Sequence, residues 1–359
     1  MTRKLILLAL IGTALHAQAQ QPRIVVQHAG NVQVFSDLTE AILAAPANSD
    51  LYLSGGAFLV PGGFALDKTL HFIGAGIHTD STNVTGATTL TTTGNAYFRL
   101  TTGANGSSFT GIRFHTPGSN TCFGLGTGAG DQDVESVEFL RCAFQQGVIL
   151  GAVEPAASSS MFTECIFHNT INGYDAQAQF SRCIFDHQAG TGAEISGFGP
   201  NEPGGVGQLT VVNCVGLGTR IGNSPEATVT NSVFTRTSAP FWQSNNATLH
   251  NNLLVSSELM SNMTTLDTID NILGVPVGGI FQSEGDNDYQ FSDNLHLQSN
   301  CPGVGAGTDG TDVGVYGTAS PYKDGAMPHV PHFRHVAIAP GTDANGDLPV
   351  QVKVAAQAN

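Results

Sequence analysis

The residues best suited to proton chemistry are His168 and Asp186. Each directly follows a large apolar residue, Phe167 or Phe185, in a six-residue phrase that recurs along the chain. Like places in successive repeats stack when the repeats do. The two side chains would then meet on an outward face, in a column reading His115, Gln145, His168, Asp186. A carboxylate held beside an imidazole favours its charged form and fixes its orientation. That is the equipment of a proton-transferring pair. Arg113 and Arg182 fall on the same side and complete a candidate catalytic patch. A solvated sheet face of structural polar groups is the plainer reading of the same residues.

Two loops carry oxygen donors at alternate places, as calcium loops do. One is Glu284, Asp286 and Asp288; the other is Asp343, Asn345 and Asp347. Neither has a glycine after its third donor, and the second has Val354 where a late glutamate would stand. Ca2+ is the cofactor such loops would take. His329, His332 and His335 recur every third residue among prolines, a spacing open to metal binding or to a solvated linker. Six cysteines are present, and Cys142, Cys165, Cys183 and Cys214 share one place in the repeat. On parallel strands about 4.8 Å apart their side chains would point the same way. A disulfide needs Cβ atoms about 3.8 Å apart and turned toward each other. Stacking therefore favours a column of buried thiols over disulfides.

The elements that must position these groups are set by the phrase itself. It reads Phe109/Ile112/Phe114, Phe139/Cys142/Phe144, Phe162/Cys165/Phe167 and Phe180/Cys183/Phe185. It continues as Val211/Cys214, Val229/Ser232/Phe234 and Leu249/Asn252/Leu254. Spacings of this order mark stacked coils, in which no unit buries its apolar face alone. Each phrase reads as two strands meeting at a tight bend. Asn213, Asn231 and Asn251 stand at that bend, and Asn tolerates the left-handed backbone it needs. Arg141, Glu164 and Arg182 hold the same place in earlier coils, where exposed, alternating charges would contribute little.

β coils are expected from about residue 57 to 300. Before them, Ile24–Val26 and Val32–Val34 read as strands. Ser36 to Ala45 reads as one helix with Ser36 as its N-cap, placed to cover the open end of the stack. Segments 116–133, 150–160 and 189–208 are rich in Gly, Pro, Ser and Ala and read as loops leaving the coil, where function usually sits. Residues 318–340 read as a Pro-rich extended connector. Residues 341–359 form a C-terminal segment in which Val350, Val352 and Val354 alternate as a strand does.

Met1 to Ala19 has a basic start, a short apolar run and an Ala-Gln-Ala site, the parts of a cleavable signal peptide. The run is too short to span a bilayer. Secretion, to the cell surface or periplasm, is the expectation. The formal net charge is −15, and it becomes more negative once Arg3 and Lys4 leave with the leader. Such a field disfavours nucleic acid, anionic membranes and polyanionic ligands. Low charge, abundant glycine and little helical periodicity indicate an all-β chain.

These features together resemble a secreted right-handed parallel β-helix protein of the pectin-lyase-like superfamily. The phrase Val229-Thr-Asn-Ser-Val-Phe234 resembles that superfamily's coil. The stretch Asp288 to Gly317, with Ala306-Gly-Thr-Asp309 and Asp312-Val-Gly-Val-Tyr316, resembles the last coil of many bacterial β-helix repeat proteins; Cys301 replaces the usual Ser before Pro302. The resemblance implies a solenoid over residues 20–317. It does not choose a function. Hydrolytic members carry adjacent aspartates, a Gly-His-Gly and an Arg-Ile-Lys; this chain has no Asp-Asp pair and no Gly-His-Gly, and Arg220-Ile221-Gly222 lacks the Lys. Paired carboxylates are the physical requirement of that chemistry. The leading expectation is an exported protein that binds a polysaccharide or cell-surface partner. The alternatives are a polysaccharide lyase or hydrolase working around Arg113, His168, Arg182 and Asp186, and a structural or adhesive surface module.

Overall fold

The structure, a computed structural model, describes residues 22–78, 86–94, 96–126, 134–151, 158–174, 176–186, 194–199, 207–264, 266–323, 332–338, 342 and 345–355. The leader-like segment Met1 to Ala19, His329 and Asp343 lie outside these residues. No described helix is long and apolar enough to cross a membrane.

The chain opens with a hairpin. Ala29 and Gly30 both take positive φ, 47° and 81°, and turn β1 (Ile24–His28) onto β2 (Asn31–Phe35). A single-turn pair of left-handed residues matches the twist of the strands it joins. Helix α1 (Leu38–Ala44) follows and buries Leu38, Ala41 and Ile42. Its cap is Asp37, not Ser36: the Asp37 carboxylate accepts the Glu40 N–H at 2.8 Å. The carboxylate also adds a negative charge at the positive helix end, which a serine does not.

From β3 (Ser49–Leu53) onward, successive coils each lay one strand into three parallel sheets. The first sheet has twelve strands. It begins β2–β1–β3 and runs through Leu70–Ile73 to Leu266–Ile269. The second and third have nine strands each, ending at Leu253–Leu254 and Met260–Ser261. This is a parallel β-helix, as the repeat implies. Like residues pair across coils in strict register: Phe139 with Phe162 and Phe180 in the first sheet, Phe144 with Phe167 and Phe185 in the second. Their rings stack at 4.6 and 4.9 Å, and at 4.8 and 5.5 Å, inside the tube.

The bend positions behave as expected. Arg141, Glu164, Arg182, Asn213, Asn231 and Asn251 all have φ between 52° and 54°. Just inside each bend the small residue points inward. All six cysteines are buried and free. Cys142, Cys165, Cys183 and Cys214 each donate a weak S–H bond to the carbonyl of Phe109, Phe139, Phe162 or Phe180, at 3.4–3.5 Å. The column continues as Ser232, Asn252 and Asn271, each accepting the amide of the residue one coil earlier at 3.0 Å. Burial pushes the Cys122 thiol up to about 12 and those of Cys165 and Cys214 well above the ordinary range, whereas at Cys183 burial is outweighed by hydrogen bonds from Cys165 and Cys214 that lower it. Thiolate is the reactive form. With all six thiols buried, maleimide should label the native chain negligibly and all six cysteines after unfolding. A native mass short of two hydrogens per cysteine pair would show disulfides instead.

The coils end earlier than the sequence suggests. The last first-sheet strand stops at Ile269, and a final bridge joins Leu253 to Ile272. Residues 275–322 add no further coil. They lie along the outside of the second sheet and form a second core with it. Ala143, Ile166, Ile184, Val215, Val233 and Leu253 point outward from that sheet and pack against Val275, Ile280, Phe281, Tyr289, Leu295, Val313, Val315 and Tyr322. An outward apolar row of this length requires a cover. The stretch resembling a last coil, Asp288 to Gly317, is thus the body of an external strap. The bend asparagines hold it: Asn251 donates to the Ala306 carbonyl at 2.9 Å, Asn231 donates to Thr308 Oγ1 and accepts its N–H, and Asn213 donates to the Gly314 carbonyl. Gly303 is required there, since a Cβ would stand 2.8 Å from both Leu253 and Val313.

Beyond the strap, His332–Ile338, inside the stretch read as a connector, pairs antiparallel with Val350–Ala355, the strand expected near the C-terminus.

Candidate functional site

The His168–Asp186 contact is present. His168 Nδ1 lies 2.7 Å from Asp186 Oδ2, a contact between side chains on adjacent coils. Its setting differs from a solvated face. Asp186 is fully buried and His168 only 15% exposed in its side chain. The other carboxylate oxygen, Asp186 Oδ1, is buried with no hydrogen-bond partner among the described residues. The strand Ile184–Asp186 sets this up: Ile184 faces the second core and Phe185 the tube, and alternation brings Asp186 back to the side of Ile184. The pair can hold a proton and orient an imidazole.

The two arginines do not join it. Arg182 sits at the bend before its strand and directs Nε to Glu164 Oε1 at 3.5 Å. Arg113 donates to the Ile77 carbonyl at 3.1 Å, and burial lowers its guanidinium below the ordinary range. Glu164 also binds Arg141 Nε at 2.7 Å, with both side chains at most 5% exposed. The alternating charges at the bend are therefore a ladder, Arg141–Glu164–Arg182, with Arg141 and Glu164 buried and Arg182 partly so, rather than the exposed pairs expected. Tyr322 from the strap is buried close enough to Glu164 to feel its charge.

Of the calcium-type loops, the first folds on itself. Glu284 Oε1 accepts the amides of Asp286 and Asn287, and Asp286 Oδ1 accepts that of Asp288. Burial, and then the acids Asp293 and Asp286 beside it, raise the Glu284 carboxyl; Asp293 is raised likewise. Asn345 and Asp347 lie between the strands of the C-terminal hairpin. Among the described residues no three carboxylate, imidazole or thiol groups converge on a point that could hold a metal ion.

A concavity lies elsewhere, on the outer face of the first sheet. A groove of about 300 Å3 crosses four coils there. Two cross-strand rows line it: Ser159–Gln177–Gln208 and Glu138–Met161–Gln179–Thr210. Strand alternation produces the rows. In Gln177-Ala178-Gln179-Phe180, Ala178 and Phe180 turn into the tube, so both glutamines turn out. Between the outward rows, Ser160 and Ala178 line the floor while alternation turns their side chains toward the tube, and Ser160 Oγ is buried with no hydrogen-bond partner among the described residues. Met161 is 44% exposed. The lining has one carboxylate, Glu138, and no cation. The groove adjoins the places where the chain enters the first sheet after 127–133, 152–157 and 200–206, inside or beside the loop segments expected from composition.

None of these lining residues was singled out by the sequence reading, which followed titratable groups. The Gln-Ala-Gln-Phe alternation and its repeat as Gln208-Leu-Thr-Val211 were the available signal. Compared with protein-family models and with curated proteins, the chain matches none.

Proposed function

We propose that this chain is an exported glycan-binding protein of the pectin-lyase-like β-helix type, and that the groove on its first sheet takes an uncharged polysaccharide. The carrying observation is the groove's chemistry. Gln177, Gln179 and Gln208 present amide donors and acceptors in one plane, matched to sugar hydroxyls. Exposed Met161 offers an adaptable apolar surface to a sugar's C–H face. The row spacing of a parallel sheet presents these groups at regular intervals along the solenoid, which suits a linear polymer. A lining with a carboxylate and no cation, on a chain of formal charge −15, disfavours polyuronates. The leader-like Met1 to Ala19 supports export.

The test is a binding titration against a panel of neutral and uronic-acid polysaccharides. Each neutral hydrogen bond contributes about 1 kcal/mol. Gln177→Ala with Gln179→Ala should therefore weaken binding of a neutral glycan by roughly tenfold or more, while His168→Ala leaves it unchanged. Tight binding of polyuronates alone, or an affinity indifferent to the glutamines, would count against the reading.

A further inference from the structure

One row of the groove runs on past its lining. Followed strand by strand, Thr210, Gln179, Met161 and Glu138 continue in register to Ser108, His71 and Asp50. Alternation puts this row on the outer face, because the neighbours Leu51, Leu70, Phe72, Phe109 and Phe139 are buried in the tube. His71 Nδ1 lies 2.9 Å from Ser108 Oγ, with both residues partly buried. The rings of Phe72 and Phe109 stack inside at 4.9 Å, so the strands carrying the two side chains are held in fixed register. A serine hydroxyl within hydrogen-bond reach of an imidazole pairs a nucleophile with its base. Glycoside cleavage asks for something else, two carboxyl groups about 5–9.5 Å apart. Asp50 and Glu138 stand three strand spacings apart, roughly 14 Å. The row therefore suits acyl transfer and not cleavage of a sugar chain.

We infer that Ser108 and His71 hydrolyse carboxylic-ester substituents, such as O-acetyl groups, on the polysaccharide held in the groove. The substrate rests on the groove reading above; the chemistry of the pair does not. Glu138 lines the groove and is in register with Ser108, so a substituent on the sugar above Glu138 lies about one strand spacing, ~4.8 Å, from the nucleophile. Ser108 Oγ attacks the ester carbonyl carbon, and its proton passes to His71 Nδ1. The tetrahedral intermediate collapses: the bond from the acyl carbon to the sugar oxygen breaks, and His71 returns the proton to that oxygen. The sugar leaves with a free hydroxyl, and the acyl group stays on Ser108. Water then attacks the acyl carbon and gives one proton to His71. The bond to Ser108 Oγ breaks, His71 hands that proton to the serine, and a carboxylic acid departs.

Two probes on the full chain test this. Turnover of p-nitrophenyl acetate reads the pair alone, and acetate release from O-acetylated glucomannan reads the assigned substrate. Ser108→Ala and His71→Ala should each lower both by about 100-fold or more, the lower end of what general-base catalysis supplies. Both side chains are partly exposed, so the fold should survive, which unchanged circular dichroism would verify. His250→Ala, which removes another imidazole from the same outer face, should leave both rates unchanged. A fluorophosphonate should add covalently to Ser108, located by mass spectrometry of a digest. Turnover of p-nitrophenyl acetate that Ser108→Ala does not lower, or a fluorophosphonate adduct elsewhere alone, overturns the inference whether or not glucomannan binds. Serine-dependent turnover of p-nitrophenyl acetate with a glucomannan that binds but keeps its acetate overturns the assigned substrate. The same turnover with a glucomannan that does not bind overturns the substrate and the groove reading together.

Discussion

Replacing Glu164 with alanine should cost about 3–5 kcal/mol of folding stability, the range seen when one partner of a buried ion pair is removed. Glu164 Oε2 is 2.7 Å from Arg141 Nε and its other oxygen is 3.5 Å from Arg182 Nε, with the Glu164 and Arg141 side chains at most 5% exposed. Arginine does not deprotonate in response, so the Arg141 charge stays buried without the Glu164 carboxylate. The strap is what makes this expensive. Without Tyr322 and its neighbours over the second sheet, water would solvate the three charges and the effect would fall to the few tenths typical of surface pairs. Glu164→Gln should fall between, since the amide keeps an acceptor but loses the charge. Replacing Arg141, Glu164 and Arg182 together by Met, Leu and Met should be nearly neutral, because the burial of charge disappears with the charges. Urea denaturation followed by circular dichroism reads all three. A loss below about 1 kcal/mol for the alanine variant would place these groups in water.

The same strap marks the boundary of what the sequence discloses. The inner residues of the phrase were legible because two periodicities agree: a small residue at the bend, and large apolar residues on either side of it. Register then follows, and with it the stacked phenylalanines, the thiol column and the contact of His168 with Asp186. The outer face of the second sheet was equally written. Ala143, Ile166, Ile184, Val215, Val233 and Leu253 occupy one place in successive phrases, and all are apolar. An apolar row on the outside of a tube demands a cover, and the only long stretch left to supply it is the one after the coils. Reading that stretch as a last coil hid the consequence: groups expected in water, Asp186 and the Arg141 and Glu164 of the ladder, are buried. The groove on the first sheet was obscure for a different reason. Amides and hydroxyls on a solvent-facing strand look the same whether or not they line a concavity, and this concavity is formed by four coils together.

Phe167→Ala should also cost about 3–5 kcal/mol, through the inner core rather than the outer one. Phe167 is 1% exposed and stacks between Phe144 at 4.8 Å and Phe185 at 5.5 Å. Phe162 and Phe180 from the neighbouring sheet meet its ring edge-on at 5.3 and 5.5 Å. Truncation therefore removes four aromatic contacts, each worth about 0.5–1.5 kcal/mol beyond burial, and opens a void in the middle of the tube. The void cannot collapse readily. Its walls are fixed by the parallel ladders above and below, which hold each ring at the strand spacing. Phe167→Leu should recover much of the loss by refilling the space, although without the ring stacking. Met161→Ala, on the outside of the neighbouring sheet in the same coil, serves as the control and should change stability by less than about 0.5 kcal/mol. Equal effects at Phe167 and Met161 would mean that the interior is not where the register places it.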